Sequence, residues 1–119
     1  MKIFVLLLTS TLSFASLTAN AKVYLASELT ADVQPIVRVA PRYPAKAARN
    51  GVIGHVALKF VINEYGAVTN VEVTESMPEG VFDREAIKAV SKWKYKPAII
   101  DGAPVKVMQE TRLDFSLGK

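Results

Sequence analysis

Between His55 and Thr74 the chain alternates in steps of two. Val56, Leu58, Phe60 and Ile62 share one parity against His55, Ala57, Lys59 and Val61. After Asn63-Glu64-Tyr65-Gly66 the alternation resumes, with Val71 and Val73 set against Asn70, Glu72 and Thr74. A period of two on both sides of residues with turn chemistry predicts a hairpin with one covered face and one wet face. A second rhythm follows. Phe82, Ala86, Ile87, Ala89, Val90 and Trp93 fall at three-and-four spacing, with Arg84, Glu85, Lys88, Ser91 and Lys92 on the other side. That is the stripe of an amphipathic helix. Asp83 and Glu85 near its start and Lys92 and Lys94 near its end suit the helix dipole, and Pro97 marks the exit.

A turn at residues 100–104 precedes a last strand over 105–117. Val105, Val107, Leu113, Phe115 and Leu117 take one parity, and Lys106, Met108, Glu110, Arg112, Asp114 and Ser116 the other. Gln109 and Thr111 fall on the apolar parity at mid-strand. Either no helix covers that stretch, or the middle of the strand is built to be approached.

Upstream, Arg42-Tyr43-Pro44 leads into residues 45–51. Pro44 stands at the first turn and Gly51 just past the end of a short helix, the asymmetry that helix termini favour. Residues 22–40 have no sustained period and carry Pro35, which reads as an arm with a short strand around Ile36–Val39. The order of elements is α-β-β-α-β. It predicts an α+β domain, a small antiparallel three-stranded sheet made of the hairpin plus the C-terminal strand, with two helices on one face. Three strands leave two edges, whose unpaired N–H and C=O groups invite a further strand.

Residues 1–21 carry Lys2, an apolar run from Ile3 to Leu8, and Ala19-Asn20-Ala21, which read as a secretory signal peptide cleaved after Ala21. An uncleaved inner-membrane anchor is the competing reading. The organisation expected is 1–21 signal, 22–40 arm and 41–119 domain. Without Lys2, the 15 Lys and Arg become 14 against 11 Asp and Glu, a net of +3. So mild a charge attracts nucleic acid weakly.

The segment 91–97, with Lys92, Lys94 and Lys96 interleaved with Trp93 and Tyr95, has the composition of a base-stacking platform. Trp93 lies on the helical stripe, however, so packing on the sheet is the favoured reading and no nucleic-acid partner is expected. There is no cysteine, hence no thiol nucleophile or thiolate metal site. The one histidine, His55, has no second histidine nearby with which to build a metal site or a triad. Glu72, Glu75 and Glu79 are the nearest approach to a carboxylate cluster, and a solvated surface is their ordinary role. No phosphate loop or nucleophile motif occurs. No enzyme activity and no cofactor are expected.

Tyr43-Pro44, Ala45, Ala47, Gly51, Gly54, Phe60, Gly66, Val68, Val71, Val73, Ser76-Met77-Pro78, Phe82-Asp83, Ala86, Ala89, Trp93, Tyr95, Pro97, Gly102 and Pro104 together resemble the C-terminal domain of TonB-family energy transducers. The resemblance spans residues 37–118. It implies a periplasmic domain that binds the Ton box, a short extended segment of outer-membrane receptors for siderophores, vitamin B12 and similar nutrients. The Ton box would add as a strand beside the last main strand. On this sequence the contact edge would be Val105, Lys106, Val107, Met108, Gln109, Glu110, Thr111 and Arg112. Arg42, Tyr43 and Pro44, with the arm from Val39, would lie alongside; Tyr43 has an equally good reading as the aromatic that fixes entry to the short helix. Gly51, Gly66, Phe82, Trp93, Tyr95 and Pro97 take structural roles.

Full transducers also engage the ExbB and ExbD motor proteins through an anchor and a Pro-rich spacer. Residues 22–40 hold no Pro-Lys or Pro-Glu run, and such an arm reaches at most ~70 Å. A module that binds and modulates is therefore expected in preference to one that transmits force. The alternative is a self-associating or scaffold envelope protein that uses the same edge, as a monomer or as an edge-paired or strand-swapped dimer.

Overall fold

The computed structural model describes residues 22–29 and 33–118. The expected signal segment, 1–21, lies outside them. In chain order the elements are β1 (Val23–Leu25), a single 3-10 turn (Ala26–Glu28), β2 (Pro35–Val37), α1 (Ala45–Arg49), β3 (Gly54–Ile62), β4 (Val68–Met77), α2 (Asp83–Val90), β5 (Lys94–Tyr95), β6 (Ala98–Ile100) and β7 (Ala103–Phe115).

The hairpin forms where the period of two places it. Asn63 makes the turn: its side-chain oxygen accepts from the Tyr65 and Ala67 N–H groups, both at 2.9 Å. Gly66 completes it at φ 87°, where a Cβ would fall 1.9 Å from the Tyr95 carbonyl oxygen. The backbone of β5 therefore approaches the turn closely, and the Tyr95 N–H donates to the Gly66 carbonyl at 2.8 Å. No side chain fits between them.

β3 is the middle of the sheet, antiparallel to β4 on one side and to β7 on the other. Its alternate residues Val56, Leu58, Phe60 and Ile62 are all buried, as are Val107 and Phe115 of β7. Ala47 of α1 and Ala86 and Val90 of α2, with Phe82 just before α2, share one cluster with those four β3 residues and Phe115, so both helices cover the same face. Each large side chain so buried contributes roughly 1.5–3 kcal/mol. Phe82 stacks on Phe115 with ring centroids 4.3 Å apart, and Tyr43 meets both edge-on at 5.5 and 5.9 Å.

Three expectations need correction. The three long strands are present, but β1 and β6 extend the sheet to five, and β2 pairs with β5 as a separate two-stranded sheet. Those four strands have two or three residues each, too few to show a period. Secondly, Ile87 is 36% exposed and not part of the buried stripe. At 100° per residue it lies about a third of a turn off the line through Phe82, Ala86, Ala89, Val90 and Trp93. Finally, α2 stops at Val90, so Lys94 belongs to β5 and not to a helix terminus.

Trp93 and Tyr95 are both buried, 2% and 4% exposed. Trp93 packs edge-on against Phe60, and its indole N–H donates to the Val39 carbonyl at 2.9 Å. This bond, the β2–β5 pair and a 2.9 Å bond from the Lys96 N–H to the Gln34 carbonyl fasten the arm to the domain. Neither aromatic presents a face for base stacking, so 91–97 is not a stacking platform. The Arg38 guanidinium covers the Trp93 ring at 4.3 Å.

Candidate functional site

β7 runs for thirteen residues and pairs with β3 without a register break, from Gly54 opposite Phe115 to Ile62 opposite Val107. The predicted contact residues lie on this strand. Val107 is buried; Val105, Lys106, Met108, Gln109 and Thr111 are half-buried; Glu110 and Arg112 are exposed. Arg112 donates to the Asp114 carboxylate at 3.0 Å, also on the surface.

Along the side of β7 away from β3, the edge is partly occupied by the chain itself. β1 pairs with it in parallel, Val23 opposite Lys106, Tyr24 opposite Val107 and Leu25 opposite Met108. β6 pairs with the first residues of β7, before its pairing with β3 begins, Ala98 opposite Val105 through Ile100 opposite Ala103. Among the described residues, no strand lies outside Gln109–Arg112. The sequence held one faint signal for β1, the apolar triplet Val23-Tyr24-Leu25 between polar neighbours.

Tyr43, Arg42 and Pro44 are arranged differently from the β7 residues. The Tyr43 hydroxyl donates to the Val52 carbonyl, and its ring meets the stacked Phe82 and Phe115 edge-on. It therefore fixes the entry to α1 at the far end of β7. Pro44 caps α1, and Arg42 is exposed. Gly51 sits just past that helix at φ 68°, as the terminus requires.

Glu72, Glu75 and Glu79 are exposed, and among the described residues no group of three metal-binding side chains converges. His55 Nε2 lies 3.7 Å from a Glu75 carboxylate oxygen across the β3–β4 pair. Burial pushes the Tyr95 phenol up, opposed by the nearby Arg38 charge.

The sequence profile of the Gram-negative bacterial TonB protein C-terminal family matches residues 39–117. The chain belongs to the TonB C-terminal family. Protein TonB of Pseudomonas aeruginosa is 33% identical over 84 residues, 71% of this chain and 24% of the relative. Protein TonB of Escherichia coli is 37% identical over 60 residues, 50% of this chain and 25% of the relative. The chain thus spans about a quarter of the length of these relatives. Among solved structures, the C-terminal domain of Pseudomonas aeruginosa TonB superposes with a TM-score of 0.61 at 31% identity, covering 75% of this chain and 90% of that one. The TonB2 protein of Vibrio anguillarum gives 0.57 at 38% identity, covering 72% and 82%. The matched span of this TonB C-terminal domain begins at Val39, so β1 and β2 lie outside the family profile, and β7 lies inside it.

Proposed function

We propose that this TonB C-terminal domain is a non-catalytic periplasmic binding module. It takes up the Ton box of outer-membrane receptors as an added strand on β7, and so assists or modulates TonB-dependent transport of siderophores and vitamin B12-type nutrients. The observation that carries this reading is the β7 edge. It is long, pairs with β3 without a register break and holds β1 on its outer side, and among the described residues no strand lies on that side through Gln109–Arg112. Main-chain hydrogen bonds supply affinity in such recognition, and alternate side chains supply selectivity. Membership of the TonB C-terminal family supports the choice of an outer-membrane receptor as partner.

The test is a titration of isotope-labelled protein with peptides from the N-termini of the same organism's outer-membrane receptors, followed by backbone amide shifts. Shifts concentrated in Val105–Arg112 are expected. A folded sample that shows no shift there with any receptor peptide overturns the reading.

The second reading is self-association through the same edge. It is favoured by one specific observation: the strand seated on β7 comes from this chain, so a second copy can offer the same segment in trans. Light scattering across a hundredfold concentration range separates the two, because a constant monomer mass excludes pairing.

A further inference from the structure

We propose that residues 22–29 are a built-in occupant of the β7 edge, which an incoming strand must displace by entering from the uncovered Glu110–Arg112 stretch. This rests on strand addition at β7 being the domain's function.

The geometry of β1 is that of a ligand strand. It lies along the side of β7 opposite β3, in parallel register with Lys106, Val107 and Met108, within the stretch proposed to receive a partner. The Leu25 N–H is turned away from the ladder and donates to the Glu28 carboxylate at 2.7 Å. Since successive amides of a strand point to opposite sides, it is Tyr24 whose N–H faces β7. The parallel ladder then directs the backbone groups of Lys106 and Met108 toward β1. By the same alternation those of Glu110 and Arg112 point outward too, and among the described residues no strand meets them.

The same Leu25–Glu28 bond ends β1. It folds Ala26–Glu28 into a 3-10 turn that leads the chain off the edge. Beside that departure lies an open groove of about 290 Å³ lined by Leu25, Ala26, Ser27, Met108, Gln109 and Glu110. It gives an arriving strand room to begin pairing before β1 has left.

β1 is held weakly but locally. None of Val23, Tyr24 and Leu25 is buried, and Leu25 is 49% exposed. A three-residue ladder with no buried side chain is weak between separate molecules and forms only at high concentration. Here, however, the chain is fastened again at Gln34 by Lys96, only a few residues after Leu29. A tether that short holds a segment at millimolar effective concentration. Weak contacts under such a tether make a gate that a moderately better strand can open. The apparent affinity of any competitor is lowered by the fraction of time the edge is covered.

The test uses three forms of the protein: wild type, Tyr24→Pro, which removes the amide that faces β7, and the double variant Leu25→Cys/Met108→Cys. The chain has no other cysteine, so oxidation of the pair locks β1 in place and reduction releases it. The probe is a synthetic peptide of residues 22–29 added in trans. Hydrogen exchange should find the Lys106 and Met108 amides at least tenfold slower than those of Glu110 and Arg112 in wild type, and Tyr24→Pro should erase the difference. The probe should bind Tyr24→Pro about threefold to tenfold more tightly than wild type. It should not bind the oxidised double variant until the disulfide is reduced.

Equal exchange at the four amides in wild type overturns the proposal. So does a probe that binds all forms alike, or none. Receptor peptides run in parallel tell the two ideas apart: if the 22–29 peptide is gated as expected while receptor peptides leave even Tyr24→Pro unmoved, the Ton-box reading fails and the gate stands.

Discussion

β4 and β7 flank β3 in the same sheet, yet their outer sides are finished in different ways. β4 slips register twice against β3, between Ala57 and Leu58 and between Lys59 and Val61, and it carries Asn70 at φ 50°. Its outer residues Asn70, Glu72, Thr74 and Glu75 are exposed and polar. Bulges, charge and local twist are the devices that keep an edge from pairing with strangers. β7 carries charges too, but it pairs with β3 without a bulge and holds β1 on its outer side, whereas among the described residues no strand pairs with the outer side of β4. The contrast teaches that one side of this domain is closed by distortion and the other by a removable cover. It also explains why β7, and not β4, is the place to look for a partner.

The largest expected effect removes both edges together. Phe82 is fully buried, stacked on Phe115 and met edge-on by Tyr43, at the point where the helical face joins the end of β7. Phe82→Ala should cost about 3–5 kcal/mol by chemical denaturation. A cost below 1 kcal/mol would mean that this aromatic cluster does not hold the sheet together.

Next in size is a substitution that touches one edge alone. Glu110→Pro deletes an outward amide of β7, a position where proline is tolerated because no ladder bond is lost to β3. Receptor-peptide affinity should fall at least tenfold with the melting temperature nearly unchanged. On the opposite edge, Glu72→Lys should leave affinity within a factor of two. Equal losses from the two substitutions would erase the distinction between the edges.

Much of this architecture is legible in the sequence, and the asymmetry between the edges is not. β3, β4, α2 and β7 are long enough for their periods to appear, and Pro44, Gly51 and Gly66 mark their turns by residue type. The edge residues 105–112 are reached from β7's pattern and the family resemblance. What covers them is not, because Val23-Tyr24-Leu25 takes its strand form from β7 and has no alternation of its own. The same holds for β5 and β6; β2 matches the short strand expected around Ile36–Val39, but its pairing with β5 is decided by tertiary contact. The bulges of β4 leave only Asn70 as a trace, a residue type that tolerates positive φ. Ile87 is misassigned for a different reason: a helix of eight residues has a covered face narrower than its apolar positions suggest.

The distortion of β4 can itself be attacked. Asn70→Val places a β-branched side chain at φ 50°, where it is strongly disfavoured. A loss of about 1 kcal/mol is expected, without any change in peptide binding at β7. If the variant instead gains stability, or begins to self-associate, the bulge was a guard against pairing at some cost to the fold. That outcome would sharpen the contrast by showing that β4 had to be disabled as an edge.

The smallest effect concerns the tie between β5 and the start of β4. Tyr95 donates its N–H to Gly66, packs its ring near Phe60, and has its phenol pushed above the usual value near 10 by burial, with Arg38 pulling the other way. A phenol whose folded value is raised binds its proton more tightly in the native state. Its stabilising contribution is therefore complete below the unfolded value near 10 and is lost as pH rises through and beyond it. Stability measured by urea denaturation should fall as pH rises above about 10 more steeply in wild type than in Tyr95→Phe. The variant should fold normally at pH 7, since the ring and the backbone bond to Gly66 remain. Identical slopes for the two proteins would show that the phenol is free to ionise without strain, and would place the rigidity of this end of β4 in the Gly66–Tyr95 backbone contact alone.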